Sequence, residues 1–236
     1  IYTGEDTLSL HDALPISWQA TPNLRLRAQW LASRTTALPD ASGALAASAA
    51  QTGSALYANA FWRADPYEAG ATIENKTLGF RNDNGFLEQT GVRILQTELI
   101  RRWGEVEVPG PFAVQAHEFE TYLWAQHRST LADGEQRAGQ TVLRYLRPGI
   151  WLLASRNTEA WVQLQFDAER ARRETALRSM NSLAAGYTAN PAPWFTKLNV
   201  EAQFGRKLDV DADRVGRSAH LLGEFNLRAP LGRWAL

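Results

Sequence analysis

The chain has 236 residues, of which 44% are hydrophobic and 21% charged, and its 25 basic residues balance its 25 acidic ones. The chain therefore has no excess of positive charge that would attract a nucleic acid and no excess of negative charge that would attract cationic partners. The absence of cysteine excludes disulfides and thiolate sites, and the lack of a run of about eighteen apolar residues excludes a helical membrane span.

The first 17 residues do not resemble a protein segment. Residues 7–17 match the translation of the priming arm of a common short-read sequencing adapter, and residues 1–6 fit the adjoining adapter and barcode bases. We therefore predict that residues 1–17 are an adapter-derived artefact and exclude them from the fold. Residues 18–236 are then expected to be an internal fragment that forms one partial β domain.

Period-two alternation of apolar and polar residues dominates the rest of the chain and predicts an all-β fold. Its clearest example is 159–170, where Leu164 and Phe166 share one face and Gln163 and Gln165 share the other. Trp161 breaks the polar row of this segment. The same pattern predicts strands at 24–33, 56–63, 67–74, 91–103, 115–128, 141–147, 183–188, 196–208 and 218–229.

The length of these segments and the chemistry of their polar faces favour one architecture. The clean segments run to about a dozen residues, which is what a tilted membrane strand requires and more than most soluble strands have. Their polar faces carry rows of Gln, Glu, Asn, Lys and Arg. Burial of these rows under a second sheet would carry a large desolvation cost. The prediction is an antiparallel outer-membrane-type β-barrel, incomplete in this chain. The alternative is a soluble β-sandwich or open-sheet binding module with one hydrated face.

Nine tryptophans are spread along the chain and allow two interpretations. They could form an aromatic girdle at a membrane interface, where amphipathic indole rings accumulate. They could instead be core anchors or glycan-stacking residues of a soluble β protein.

Several segments break the alternation and are predicted to be loops or turns. Residues 38–54 are rich in Ala, Ser and Gly and are expected to form a loop. Shorter turns are predicted at 64–66, 104–111, 133–134, 190–191 and 211–216.

The most specific stretch of the sequence is 78–93. Its Asn84-Gly85 pair is typical of a tight turn, and Arg81 and Asp83 are close enough along the chain to form an ion pair. We therefore predict Arg81, Asp83 and Asn84 as binding residues.

This stretch resembles the domain of unknown function 5916 family, whose members share an aromatic-Arg-x-Asp-x-Gly-Phe run followed by a glycine. The matching residues are Phe80, Arg81, Asp83, Gly85, Phe86 and Gly91. Leu87-Glu88 departs from the Val-Pro often found in the family. The resemblance implies the barrel-like C-terminal region of a bacterial envelope protein, one that usually carries an upstream carbohydrate-binding domain of the family-nine type.

A second part of the resemblance lies near the end of the chain and follows the late strand-turn-strand order of the family. It rests on Tyr187, Thr188, Pro193, Trp194, Gly205, Asp209, Arg214, Gly216, Leu227 and Arg228. The family implies outer-membrane lipid and a glycan as partners and the outer membrane of a diderm bacterium as location. It implies no catalytic residue.

The spacing of the candidate ligands in the sequence argues against a metal site. His117 and His127 lie ten residues apart on one predicted strand, hence about 33 Å apart, and cannot share a metal. Asp209, Asp211 and Asp213 resemble the start of a calcium loop, but the glycine and glutamate that such a loop needs are missing. No metal and no cofactor are predicted.

Signatures of catalysis are also weak. The chain has no nucleophile elbow and no phosphate-binding glycine loop. Glu118 and Glu120 share a strand face at a separation that suits glycoside chemistry, although carboxylates are also ordinary in a hydrated lumen. The predicted function is an outer-membrane β-barrel domain of unestablished activity, associated with glycans through the upstream domain. A further alternative is an envelope hydrolase with Arg81 and Asp83 in its site.

Overall fold

The computed structural model describes residues 16–35, 51–80, 90–108, 114–132, 138–155, 157–172 and 175–228. In this part of the chain no helix is long and apolar enough to cross a membrane. Its regular structure consists of β-strands, which are β1 (Ile16–Thr21), β2 (Leu24–Thr35), β3 (Gln51–Ala64), β4 (Tyr67–Lys76), β5 (Val92–Val108), β6 (Val114–Thr130), β7 (Thr141–Ala154), β8 (Thr158–Glu169), β9 (Arg178–Ala189), β10 (Phe195–Asp209) and β11 (Arg214–Leu227).

The described strands form a single antiparallel sheet in which spatial order follows chain order from β1 to β11. Each strand from β2 to β10 pairs with the strand before it and the strand after it, as in a meander. The register between β10 and β11 runs from the pair Phe195 and Leu227 to the pair Asp209 and Arg214. The prediction of an all-β antiparallel fold is therefore confirmed. Among the described residues, β1 and β11 remain the two ends of the strand order.

Several boundaries differ from the predicted ones, and three cases show why. β1 was not predicted, and it includes Ile16 and Ser17, which the adapter interpretation had excluded. β3 begins at Gln51, inside the predicted loop 38–54, because Gln51 pairs with Thr35 of β2. β5 continues to Val108 through the predicted turn at 104–111. Backbone pairing with a neighbouring strand extends a strand whatever the side-chain pattern says, and this pairing is invisible in the local sequence.

The chain divides into two compact units. The first comprises Ile1–Arg63, Ala69–Thr97 and Gln126–Leu143, and the second comprises Ala64–Glu68, Glu98–Ala125 and Arg144–Leu236.

In the first unit, a short segment after β4 closes against the start of β3. The Thr77 hydroxyl accepts a hydrogen bond from the Ser54 amide at 2.8 Å. Phe80 is buried, and its backbone lies so close to Gly53 that any Cβ atom there would overlap it. Glycine is thus required at position 53 by this close approach.

In the second unit, β8 shows how the strands distribute their side chains. Val162, Leu164 and Phe166 are exposed. Gln163, which lies between Val162 and Leu164, is buried. We call the face that carries Gln163 and Gln165 the polar face, and the face that carries Leu164 the apolar face.

Hydrogen bonds between side chains satisfy the polar face across β8, β9 and β10. Gln165 donates to the Gln163 side chain at 2.9 Å. The Gln165 carbonyl oxygen accepts from the Ser182 hydroxyl at 2.7 Å and from the Gln203 amide at 2.8 Å. Gln163 is buried, and an amide that is paired in this way avoids the desolvation cost that an unpaired one would carry.

Candidate functional site

A cavity of about 600 Å³ lies in the second unit, on the polar face of β5 to β8. Ligand sites commonly have this size. The lining residues are Ile100, Arg102, Glu118, Glu120, Tyr122, Trp124, Trp151, Glu159, Trp161 and Gln163.

One guanidinium group at the cavity is held by three carboxylates. The Arg102 side chain is hydrogen-bonded to Glu68, whose side chain is 8% exposed. The Nε atom of Arg102 also lies 2.9 Å from Glu120 and 3.3 Å from Glu118. Because alternate residues of a strand share a face, Glu118 and Glu120 reach Arg102 together. Three carboxylates therefore converge on this one guanidinium group.

A fourth carboxylate faces the cavity from β8. Glu159 accepts a hydrogen bond from the indole nitrogen of Trp151 at 2.7 Å. This bond fixes the edge of the Trp151 ring against Glu159 and orients both side chains. Among the described residues that line the cavity, Arg102 is the single cationic side chain.

Four aromatic rings complete the lining. Tyr122 and Trp124 follow the two glutamates on β6, and their ring centroids lie 4.6 Å apart with a tilt of 30°. The Tyr122 hydroxyl accepts a weak hydrogen bond from Gln163 at 3.4 Å. Trp124 remains exposed despite this contact.

Two of these rings lie close against glycines of neighbouring strands. A Cβ atom at Gly149 of β7 would overlap the Tyr122 ring, and a Cβ atom at Gly186 of β9 would overlap the Trp161 indole. Gly186 is the residue paired directly with Trp161 across the β8 and β9 ladder. The glycines thus let each ring lie close to the backbone of the sheet.

The predicted binding residues Arg81, Asp83 and Asn84 lie outside the described residues. Their neighbour Phe80 is described and is buried in the first unit. Gly91, the last residue of the family run, has a φ of 73° and donates its amide to Lys76.

The other candidate residues are placed by the structure. Glu118 and Glu120 do share a face, as predicted, and both contact Arg102. Asp209 accepts from the Ala212 amide within its turn, and Asp213 pairs with Arg178 at 3.1 Å. In the described ranges, no group of three His, Cys, Asp or Glu residues could hold a metal ion.

The tryptophans at the cavity were not predicted as site residues. Trp124, Trp151 and Trp161 line it, so these three differ from the expected outer girdle. A signal was present for Trp161, which interrupts the polar row of its strand. Trp124 and Trp151 gave no comparable signal, because their convergence depends on the pairing of separate strands.

Comparison of the chain with protein-family models, with curated proteins and with solved structures finds no match.

Proposed function

We propose that this chain forms an outer-membrane-type β-barrel domain whose strands cross a lipid bilayer in the envelope of a diderm bacterium. One observation carries the proposal. On single strands of the second unit, polar side chains are buried while the large apolar side chains next to them are exposed. Soluble proteins have the opposite distribution, whereas a barrel with a hydrated interior in lipid requires this one.

The strand β8 supports the proposal most directly. Gln163 is 5% exposed and Leu164 is 48% exposed. The apolar row of this strand carries Ala, Val, Leu and Phe and no charge. Such a row would be solvated by acyl chains without cost, because each backbone group is already paired within the sheet.

The last two strands carry apolar and polar side chains on opposite faces, and β11 is exposed on both faces along most of its length. Phe204, Leu221 and Phe225 are exposed on the apolar face. On the other face, Lys197 forms an ion pair with Glu224 at 2.7 Å. Contiguous exposed apolar surface of this kind marks an interaction site, and lipid is the partner that accepts a surface running along whole strands.

The first nine connections between strands alternate in length. Those at 22–23, 65–66, 109–113, 155–157 and 190–194 are short, and those at 36–50, 77–91, 131–140 and 170–177 are longer. The last connection, at 210–213, is also short and departs from the alternation. In a meander, successive connections lie at opposite ends of the strands. Short turns at one end and long loops at the other are typical of outer-membrane barrels.

Exposed aromatic side chains lie near the short connections. Within the second unit, the Arg102 amide donates to the Pro66 carbonyl at 2.8 Å, which brings Trp103 level with the short turn at 65–66. The Arg101 guanidinium lies 3.6 Å from the centroid of the exposed Trp103 ring. Such aromatic and basic pairs suit the headgroup level of a membrane.

We further propose that the chain belongs to the domain of unknown function 5916 family and is associated with glycans through an upstream carbohydrate-binding domain. The support is the run from Phe80 to Gly91 in the sequence. Sequencing the source DNA across both ends of the reading frame tests this proposal. An upstream export signal and carbohydrate-binding domain are expected, and a native start near Trp18 without an export signal would contradict it.

The membrane proposal is tested by folding the purified chain from urea in the presence of phospholipid vesicles. The expected result is β-sheet circular dichroism together with co-flotation of the protein and the vesicles. Vesicles with brominated acyl chains should quench the fluorescence of exposed tryptophans such as Trp103 and Trp30. A monomer that folds in buffer alone and does not bind vesicles would contradict the proposal and favour a soluble open-sheet module.

A further inference from the structure

We propose that the cavity lined by Arg102, Trp124 and Trp161 binds an organic cation with a quaternary or alkylated ammonium group. This inference goes beyond the membrane proposal, because it concerns the polar face and does not depend on what covers the apolar face. Three features of the cavity carry it: its excess of carboxylates, its aromatic surfaces and its size.

Charge at the cavity favours a cation. Glu68, Glu118 and Glu120 surround Arg102, and Glu159 adds a further carboxylate. Among the described lining residues, the carboxylates of Glu118, Glu120 and Glu159 outnumber the single cation Arg102, so the cavity attracts positive ligands and repels anions. The even balance of charge over the whole chain conceals this local excess.

Aromatic rings add a second attraction for the same class of ligand. The faces of indole and phenol rings carry negative potential and attract cations within about 6 Å, most strongly where water is excluded. Tyr122 and Trp161 lie close against the backbone at Gly149 and Gly186. The rings are therefore held in place before a ligand arrives, which lowers the entropic cost of binding.

An alkylated ammonium fits both features better than other ligands do. A neutral sugar could stack on the rings but would gain nothing from the excess of carboxylates. A small metal ion prefers three or more oxygen or nitrogen ligands in a compact shell, and the described residues contain no such group. A bulky cation with methyl groups uses the rings and the carboxylates together, and a volume of about 600 Å³ accommodates it.

The test is a titration of the folded full chain, in detergent micelles or in buffer, with choline chloride. Binding is followed by tryptophan fluorescence and by calorimetry at constant ionic strength. The neutral isostere 3,3-dimethyl-1-butanol has the same shape without the charge. Choline is expected to bind at least about ten-fold more tightly than the isostere. Equal affinity for both, or no binding of choline to the folded chain, would overturn the proposal.

Variants assign the binding to this cavity. Trp124→Leu and Glu118→Gln are each expected to raise the Kd for choline by about three-fold or more. Glu224→Gln is the matched control, since Glu224 pairs with Lys197 and does not line the cavity. Equal effects of Glu118→Gln and Glu224→Gln would reject the site. Circular dichroism of each variant verifies folding, and vesicle flotation separately reports the membrane proposal.

Discussion

The indole of Trp161 lies against the backbone of Gly186, its direct partner on the next strand, in the position that a Cβ atom of residue 186 would occupy. This contact joins β8 to β9 at the wall of the cavity. The addition of a single methyl group at residue 186 should therefore displace the Trp161 ring.

Gly186→Ala is therefore expected to destabilise the folded chain by about 1 to 3 kcal/mol, because the indole must move out of its place. Urea titration followed by circular dichroism measures the change. Gly223→Ala is the matched control, because a Cβ atom at Gly223 meets nothing within 4 Å. Similar losses in both variants would mean that the Trp161 contact carries no particular energy.

Replacement of Arg102 by lysine should also weaken the fold. A single ammonium cannot offer the forked donors that Arg102 directs at Glu68 and Glu120, and Glu68 is buried. We expect a loss of about 1 to 2 kcal/mol in the free energy of unfolding. Arg102→Met should cost more, since it removes the cation that three carboxylates contact. If the methionine variant is as stable as the lysine variant, charge pairing is not what Arg102 contributes.

The pair formed by Arg147 and Asp167 is bidentate, with distances of 3.1 and 2.7 Å. Asp167→Asn is expected to lower the free energy of unfolding by about 1 to 2 kcal/mol, because the amide cannot accept both hydrogen bonds. The comparison is Glu224→Gln, which removes a more exposed pair and should cost less than about 1 kcal/mol. Denaturant midpoints of both variants measure the two losses. A larger loss for Glu224→Gln than for Asp167→Asn would contradict the greater contribution assigned to the bidentate pair.

Leu164→Arg tests contact of the apolar face with lipid. A charge facing acyl chains near the middle of a bilayer costs about 2 to 4 kcal/mol, whereas a charge on a hydrated face costs little. The yield of vesicle-inserted protein should therefore fall for Leu164→Arg and Val200→Arg and stay near that of the unaltered chain for Gln203→Arg. Gln203 lies on the polar face, where it donates to Gln165. Equal yields for all three variants would speak against a lipid-facing surface.

Much of the fold was accessible from the sequence because strand alternation is a local property. The segments predicted at 159–170 and 196–208 match β8 and β10 within a residue or two. The sequence pattern did not predict strand ends that depend on pairing with another strand, such as the start of β3 at Gln51. Its partner Thr35 belongs to the strand before a long connection, and nothing near Gln51 in the sequence indicates that partner.

The sequence by itself determined which side chains share a face of each strand, since the direction of successive side chains follows from the period of two. It therefore determined the all-β class and the alternation that places Leu164 and Gln165 on opposite faces of their strand. Only the tertiary structure decided which faces meet. Arg102, Glu120, Trp151 and Trp161 come from four strands, and their convergence depends on registers set by hydrogen bonds between distant parts of the chain.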